Sequence, residues 1–234
     1  MIRKLLPHSV KVKLHLVNNS IKNLFNGYSF NFAKKEKSKT DFNNSIKITQ
    51  VIKQTESAKA KIENFKIAIK QIEQIIIKPN EIFSFWKAVG NPTKKRGYVE
   101  SRSITNGKIV PTIGGGLCQL SGLIYYACLQ ANIEILERYN HSSDIYTDET
   151  RFTPLGSDAT VVFGYKDLKI RNNLDYSIQF SFNLTDKNLS IYLKSLGEIK
   201  QNIVEFKIVN NDNNTEVLTF VNKKEKAKSV YKYS

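Results

Sequence analysis

The feature that most constrains this chain is a change of hydrophobic period along its length. Up to about residue 131 apolar residues recur three and four apart, the spacing of one helix face; from about residue 159 they fall into short β-rich runs. Ile62, Phe65, Ile69, Ile72 and Ile76 share one face of a helix expected from about Ser57 to Gln74 and stopped by Pro79. Leu117, Leu120, Ile124, Ala127, Cys128 and Ala131 form the stripe of another helix, which opens at a glycine run. Ile82-Phe83-Ser84-Phe85-Trp86 reads as a strand. Asn106-Gly107, between Arg102-Ser103-Ile104 and Lys108-Ile109-Val110, signals a hairpin. The later runs are Ala159 to Phe163, Leu168 to Arg171, Ser177 to Phe182 and Leu189 to Leu193, with one more hairpin at Val204 to Val209 and Val217 to Val221. The fold class expected is α+β, with helices in the first half packed on a mostly antiparallel β-sheet formed by the second half.

The two ends read differently from the middle. After Pro7, a good first helical residue, Val10, Leu14, Val17, Ile21 and Leu24 recur at helical spacing, with Lys11, His15 and Lys22 off that stripe. This is a basic amphipathic helix, read first as packed on its own domain and second as lying on a membrane surface. The organisation expected is a basic N-terminal helix and linker over 1–45, a central domain over 46–196, and a C-terminal β-hairpin with a Lys-rich tail over 197–234.

The formal charge of +15 suggests nucleic acid until it is located. Residues 1–60 hold twelve Lys/Arg against three Asp/Glu, and residues 222–234 hold five Lys against one Glu. The stretch between them is near neutral, whereas a nucleic-acid reader carries its basic patch on the folded contact surface. No nucleic-acid partner is expected. Solubility and compositional bias explain the basic ends, or else weak contact with an anionic membrane or wall polymer. The first forty residues lack the apolar core of a secretory signal, so a cytoplasmic chain is expected, with cell-surface association as the alternative.

The run Gly114-Gly115-Gly116-Leu117-Cys118-Gln119 carries the chemistry. Three glycines in a row suit close backbone approach or positive φ. Cys118 falls in the first helical turn, where unpaired N–H groups and the helix dipole favour a thiolate. It lies off the apolar stripe beside Ser121, Gly122 and Tyr125, whereas Cys128 lies on it and reads as core. On one helix the two are about 15 Å apart, too far for a disulfide. N–H groups around Gly114, Gly115 and Gly116, with Gln119 and Ser121 nearby, are the candidates to bind substrate or an oxyanion. A cysteine nucleophile most often uses a histidine base, and His141 is the one histidine outside the N-terminal extension. Asp158 and Asp144 are the candidates to orient it. No metal site and no cofactor is expected: there is no dinucleotide or Walker pattern and too few ligands for zinc.

These residues resemble the VanW family. The matching pieces are Lys78-Pro79-Asn80-Glu81-Ile82-Phe83-Ser84-Phe85-Trp86, Thr105-Asn106-Gly107, the glycine–cysteine run through Ser121, Glu137-Arg138, His141, Asp158-Ala159-Thr160-Val161, and Asp167-Leu168-Lys169-Ile170-Arg171-Asn172. They run from about residue 60 to 195. The resemblance implies a link to B-type vancomycin resistance and the cell wall of Gram-positive bacteria. It also implies a cysteine-dependent acyltransferase similar to L,D-transpeptidases, acting on a peptidoglycan stem peptide or precursor through Cys118 and His141. The alternatives are a non-catalytic module that binds peptidoglycan or its precursor, and a cytoplasmic cysteine amidase.

Overall fold

Strand β1 (Asn44–Val51) alternates strictly: Ile46, Ile48 and Gln50 turn inward and their neighbours outward. It pairs antiparallel with β9 (Asn188–Ser195), which pairs with β8 (Ile178–Leu184), which takes the short β2 (Ile76–Ile77) on its far side. Against this four-stranded sheet lie α2 (Ala58–Ile72) and α4 (Leu117–Gln130). The apolar faces read from the sequence are the buried ones: Ile62, Phe65, Ile69 and Ile72 on α2, and Leu117, Leu120, Ile124, Ala127 and Cys128 on α4. Together with Ile46, Ile48, Phe180, Ile191 and Leu193 they form one continuous core. The computed structural model describes residues 6–36, 41–105, 108–144 and 153–233.

Three smaller antiparallel units surround that core. β3 (Ile82–Ser84), β7 (Lys169–Arg171) and β6 (Glu134–Glu137) form one, in the order β3-β7-β6. β4 (Glu100–Thr105) and β5 (Lys108–Ile113) form a hairpin with the expected flanks; its Asn106-Gly107 turn lies outside the described residues. β10 (Val204–Asn210), β11 (Asn214–Val221) and β12 (Lys224–Lys232) form a third sheet at the end of the chain. The fold is α+β, as the change of period implies, and the first half supplies strands as well as helices.

Several expectations are corrected. Ile76 belongs to β2: α2 ends at Ile72, before Pro79 could stop it. Phe85 and Trp86 start the short helix α3 (Phe85–Val89), because the Ser84 hydroxyl accepts the Lys87 N–H at 3.2 Å and caps it. Glu134 and Glu137, which look like a solvated helix end, sit on β6 and bond Arg171 at 3.2 Å and Lys169 at 2.7 Å. The Lys-rich tail is a third strand, β12, rather than an appendage to a hairpin. Ala159 to Phe163 joins no named sheet: Val162 makes an isolated bridge to Lys166, Phe163 starts a turn, and side chains of α4 and the Tyr139 carbonyl hold the backbone before them.

The N-terminal helix α1 (His8–Phe25) forms as expected but docks through the opposite face. Asn19 donates to the Gly164 carbonyl at 3.0 Å, Asn23 accepts from Lys169 at 3.0 Å, and the His15 ring lies 4.3 Å from that of Tyr165. The stripe Val10, Leu14, Val17, Ile21 and Leu24 is exposed. Among the described residues, no helix is long and apolar enough to cross a membrane.

Candidate functional site

The glycine run is a close backbone crossing that ends in a helix start. Gly114 and Gly116 hold positive φ, 79° and 97°, where other residues are strained. Gly115 is required for another reason: a Cβ there would sit 2.1 Å from the Ser101 carbonyl oxygen of β4. Asn64 of α2 fastens the crossing, donating to the carbonyls of Val99 and Gly115 at 3.0 Å each and accepting the Val99 N–H at 2.9 Å. The N–H groups of Gly114, Gly115, Leu117 and Gln119 bond the carbonyls of Val99, Thr112, Gly114 and Gly116. Those of Gly116 and Cys118 have no protein acceptor among the described residues.

Cys118 is therefore delivered to the first turn of α4, half-buried and free of any disulfide. Its thiol donates to the Val161 carbonyl at 3.6 Å. Cys128 is also free but fully buried, and burial pushes its thiol far up, so it is inert.

His141 stands between Cys118 and Asp158. Its Nδ1 lies 2.6 Å from Asp158 Oδ2, and the same oxygen accepts the His141 backbone N–H at 2.7 Å. Burial alone would lower the imidazole, but the hydrogen bond to Asp158 and the interaction with the Cys118 sulfur outweigh it and push His141 up to about 10. Asp158 shows the reverse balance: burial raises the carboxyl, while His141 and the Arg138 guanidinium pull it down to about 2. Asp158 is thus an observed orienting carboxylate for His141, in the role that sequence left shared with Asp144.

Arg138 binds the Asp158 segment as a fork. It donates to the Asp158 carbonyl at 2.7 Å, to Asp158 Oδ1 at 2.8 Å, to the Gly156 carbonyl at 3.0 Å and to Ser229 Oγ at 2.6 Å. It also lies over the Tyr125 ring, 4.8 Å from the centroid. Tyr231 of β12 donates its hydroxyl to Asp158 Oδ1. Neither Tyr231 nor Ser229 was singled out in the sequence. The signal for them was absent, because they lie in a Lys-rich stretch on a strand with little apolar alternation.

The remaining predicted site residues divide into two groups. Ser121 is buried: its hydroxyl donates to the Ala159 carbonyl at 2.6 Å and fixes the Asp158–Val161 segment against α4. Gln119 points to the other side of the helix, accepting from Lys61 at 3.3 Å and reaching Gln50 at 3.4 Å. Lys61 lies against Gly116, and burial, then Arg102 and Lys53, lowers its ammonium pKa. Among the described residues no three His, Cys, Asp or Glu side chains gather as a metal site would need.

The class this defines is an α+β protein in which a helix-start cysteine interacts with a histidine bonded to a half-buried aspartate–arginine pair. Residues 60–194 match the family described as VanW like protein, and the chain belongs to that family. It is 34 % identical over 129 residues to the vancomycin B-type resistance protein VanW of Enterococcus faecalis, covering 55 % of this chain and 47 % of that one. It is 33 % identical over 122 residues to the uncharacterized protein YoaR of Bacillus subtilis, covering 52 % and 39 %. The chain thus spans less than half the length of these relatives. No solved structure matches it.

Proposed function

We propose that this protein is a cysteine-dependent acyltransferase acting on a peptidoglycan stem peptide or its precursor. The observation that carries the reading is the His141 ring, bonded through Nδ1 to Asp158 and interacting with the Cys118 sulfur. This is the nucleophile–base–orienter arrangement of covalent acyl transfer. The peptidoglycan substrate follows from the family resemblance and from the link to vancomycin resistance in the name of the enterococcal relative.

In the proposed reaction the sulfur of Cys118, its proton carried on His141, attacks the carbonyl carbon of the third stem residue. The oxyanion that forms is received by the N–H groups of Gly116 and Cys118, which lack protein acceptors among the described residues. The amide bond to the terminal D-alanine breaks, and its nitrogen leaves with the proton from His141. The resulting thioester is attacked by an amine of a neighbouring stem peptide, which passes a proton to His141 and releases Cys118.

Intact-protein mass after incubation with a tetrapeptide stem tests this. The expected result is an adduct of the tetrapeptide less its terminal alanine, present in the wild type and lost in Cys118→Ala. A folded wild type that forms no adduct, yet binds the peptide equally well with and without Cys118, overturns catalysis in favour of a binding module.

A further inference from the structure

α1 has two faces with opposite fates. The docked face is mixed: Asn19 and Asn23 bond the body, His15 stacks beside Tyr165, and Val12 and Leu16 pack over Gly164. At about 100° per residue these positions lie roughly opposite the line through Val10, Leu14, Val17, Ile21 and Leu24. That second line is apolar and exposed, from 37 % at Val10 to 58 % at Val17, and it runs on into Phe25 at 85 %. Phe30, just past the helix, is exposed as well. A helix that makes its hydrogen bonds to the body through asparagines and shows a stripe of five aliphatic side chains to solvent departs from an ordinary surface helix.

The charge around this stripe selects its occupant. Residues 1–35 hold seven Lys/Arg and no Asp/Glu, and α1 itself carries Lys11, Lys13 and Lys22. Lys13 and Lys22 fall on opposite flanks of the stripe by the same helical count. A second copy of this chain would bring two sets of lysines together across the apolar contact. An anionic lipid surface satisfies both features, taking the aliphatic side chains among its acyl chains and the lysines at its headgroups. We propose that α1 is an interfacial helix that holds the protein flat on an anionic membrane. The proposal stands independently of any chemistry at Cys118. Its location is suggestive all the same: α1 rests on the Gly164–Tyr165 turn, three residues beyond the Val161 carbonyl that receives the Cys118 thiol.

Co-sedimentation of the full chain tests it, using vesicles of phosphatidylglycerol with phosphatidylcholine against vesicles of phosphatidylcholine alone. The expected result is binding to the anionic vesicles, weakened by salt, and about tenfold weaker or more in Lys13→Glu/Lys22→Glu. Leu14→Ser/Val17→Ser/Ile21→Ser should lose binding to a similar degree. Circular dichroism and melting confirm that each variant folds, as expected for substitutions at exposed positions. Equal binding to both vesicle types, or stripe variants that bind as the wild type does, overturns the proposal. So does light scattering that shows a dimer dispersed by the stripe substitutions, which would make a second copy the occupant.

Discussion

Asp158 accepts four hydrogen bonds, two on each oxygen: Arg138 and Tyr231 on Oδ1, and the His141 backbone and ring on Oδ2. That fills the acceptor capacity of a carboxylate, which is why it stays ionised where burial alone would protonate it. The pH consequences follow from the signs. His141 rises from its ordinary 6.5 to about 10, so its contribution to stability is complete below pH 6.5 and is lost as pH climbs through about 10. Asp158 falls from its ordinary 3.8 to about 2, so its contribution is complete above pH 3.8 and is lost as pH drops through about 2. Asp158→Asn removes the second and the part of the first that Asp158 supplies. The difference in melting temperature between wild type and Asp158→Asn should therefore be widest between pH 3.8 and 6.5 and shrink on either side. Proton NMR of the imidazole should show His141 titrating well below about 10 in the variant, because the hydrogen bond to Asp158 is lost while the burial that lowers it remains. A His141 that keeps its high pKa in Asp158→Asn would show that another group holds it.

At the scale of elements, the glycine entry to α4 links packing to chemistry. Gly115→Ala forces a methyl group into the Ser101 backbone, an obstacle that cannot rotate away, and should cost about 3 kcal/mol or more. Gly116→Ala meets the flexible Lys61 side chain instead, so its cost is that of positive φ, about 1–2 kcal/mol. Urea denaturation of the two variants checks the order. Elements with a dense apolar stripe were readable in advance: α2, α4, β8 and β9 lie where the periodicity places them. β1, β6 and β12 were not, for a common reason. In β1 and β12 half or more of the residues face solvent, and in β6 two of the four are Glu, so their strand character comes from the neighbour that supplies a ladder rather than from their own composition.

Across the whole molecule, the final sheet reaches back to the site. Tyr231 lies 73 residues beyond Asp158 in sequence and beyond the stretch that matches the family, yet its hydroxyl completes the carboxylate's set of donors. Ser229, on the same strand, accepts from Arg138. Tyr231→Phe should cost about 1–2 kcal/mol of stability, the scale of a buried hydrogen bond to a charged group. It should also lower the rate of Cys118 acylation with little change in peptide binding. Stopped-flow labelling beside a binding titration separates the two, and an unchanged acylation rate would confine β12 to a structural role.

By itself the sequence determined the fold class, the helix-start position of Cys118 and the burial of Cys128, and it left His141 as the candidate histidine. Each of these depends on local period, helix geometry or a count of residue types. Only the tertiary structure decided which aspartate orients His141, that Arg138 and Tyr231 hold that aspartate, that Ser121 is a buried strut, and that the apolar stripe of α1 faces outward. These are contacts between segments far apart in the chain. An amphipathic stripe shows that a helix has an apolar face, but which face meets the body depends on the surface it docks against. Here that surface offers the Gly164 carbonyl and the Lys169 ammonium, which bind asparagine.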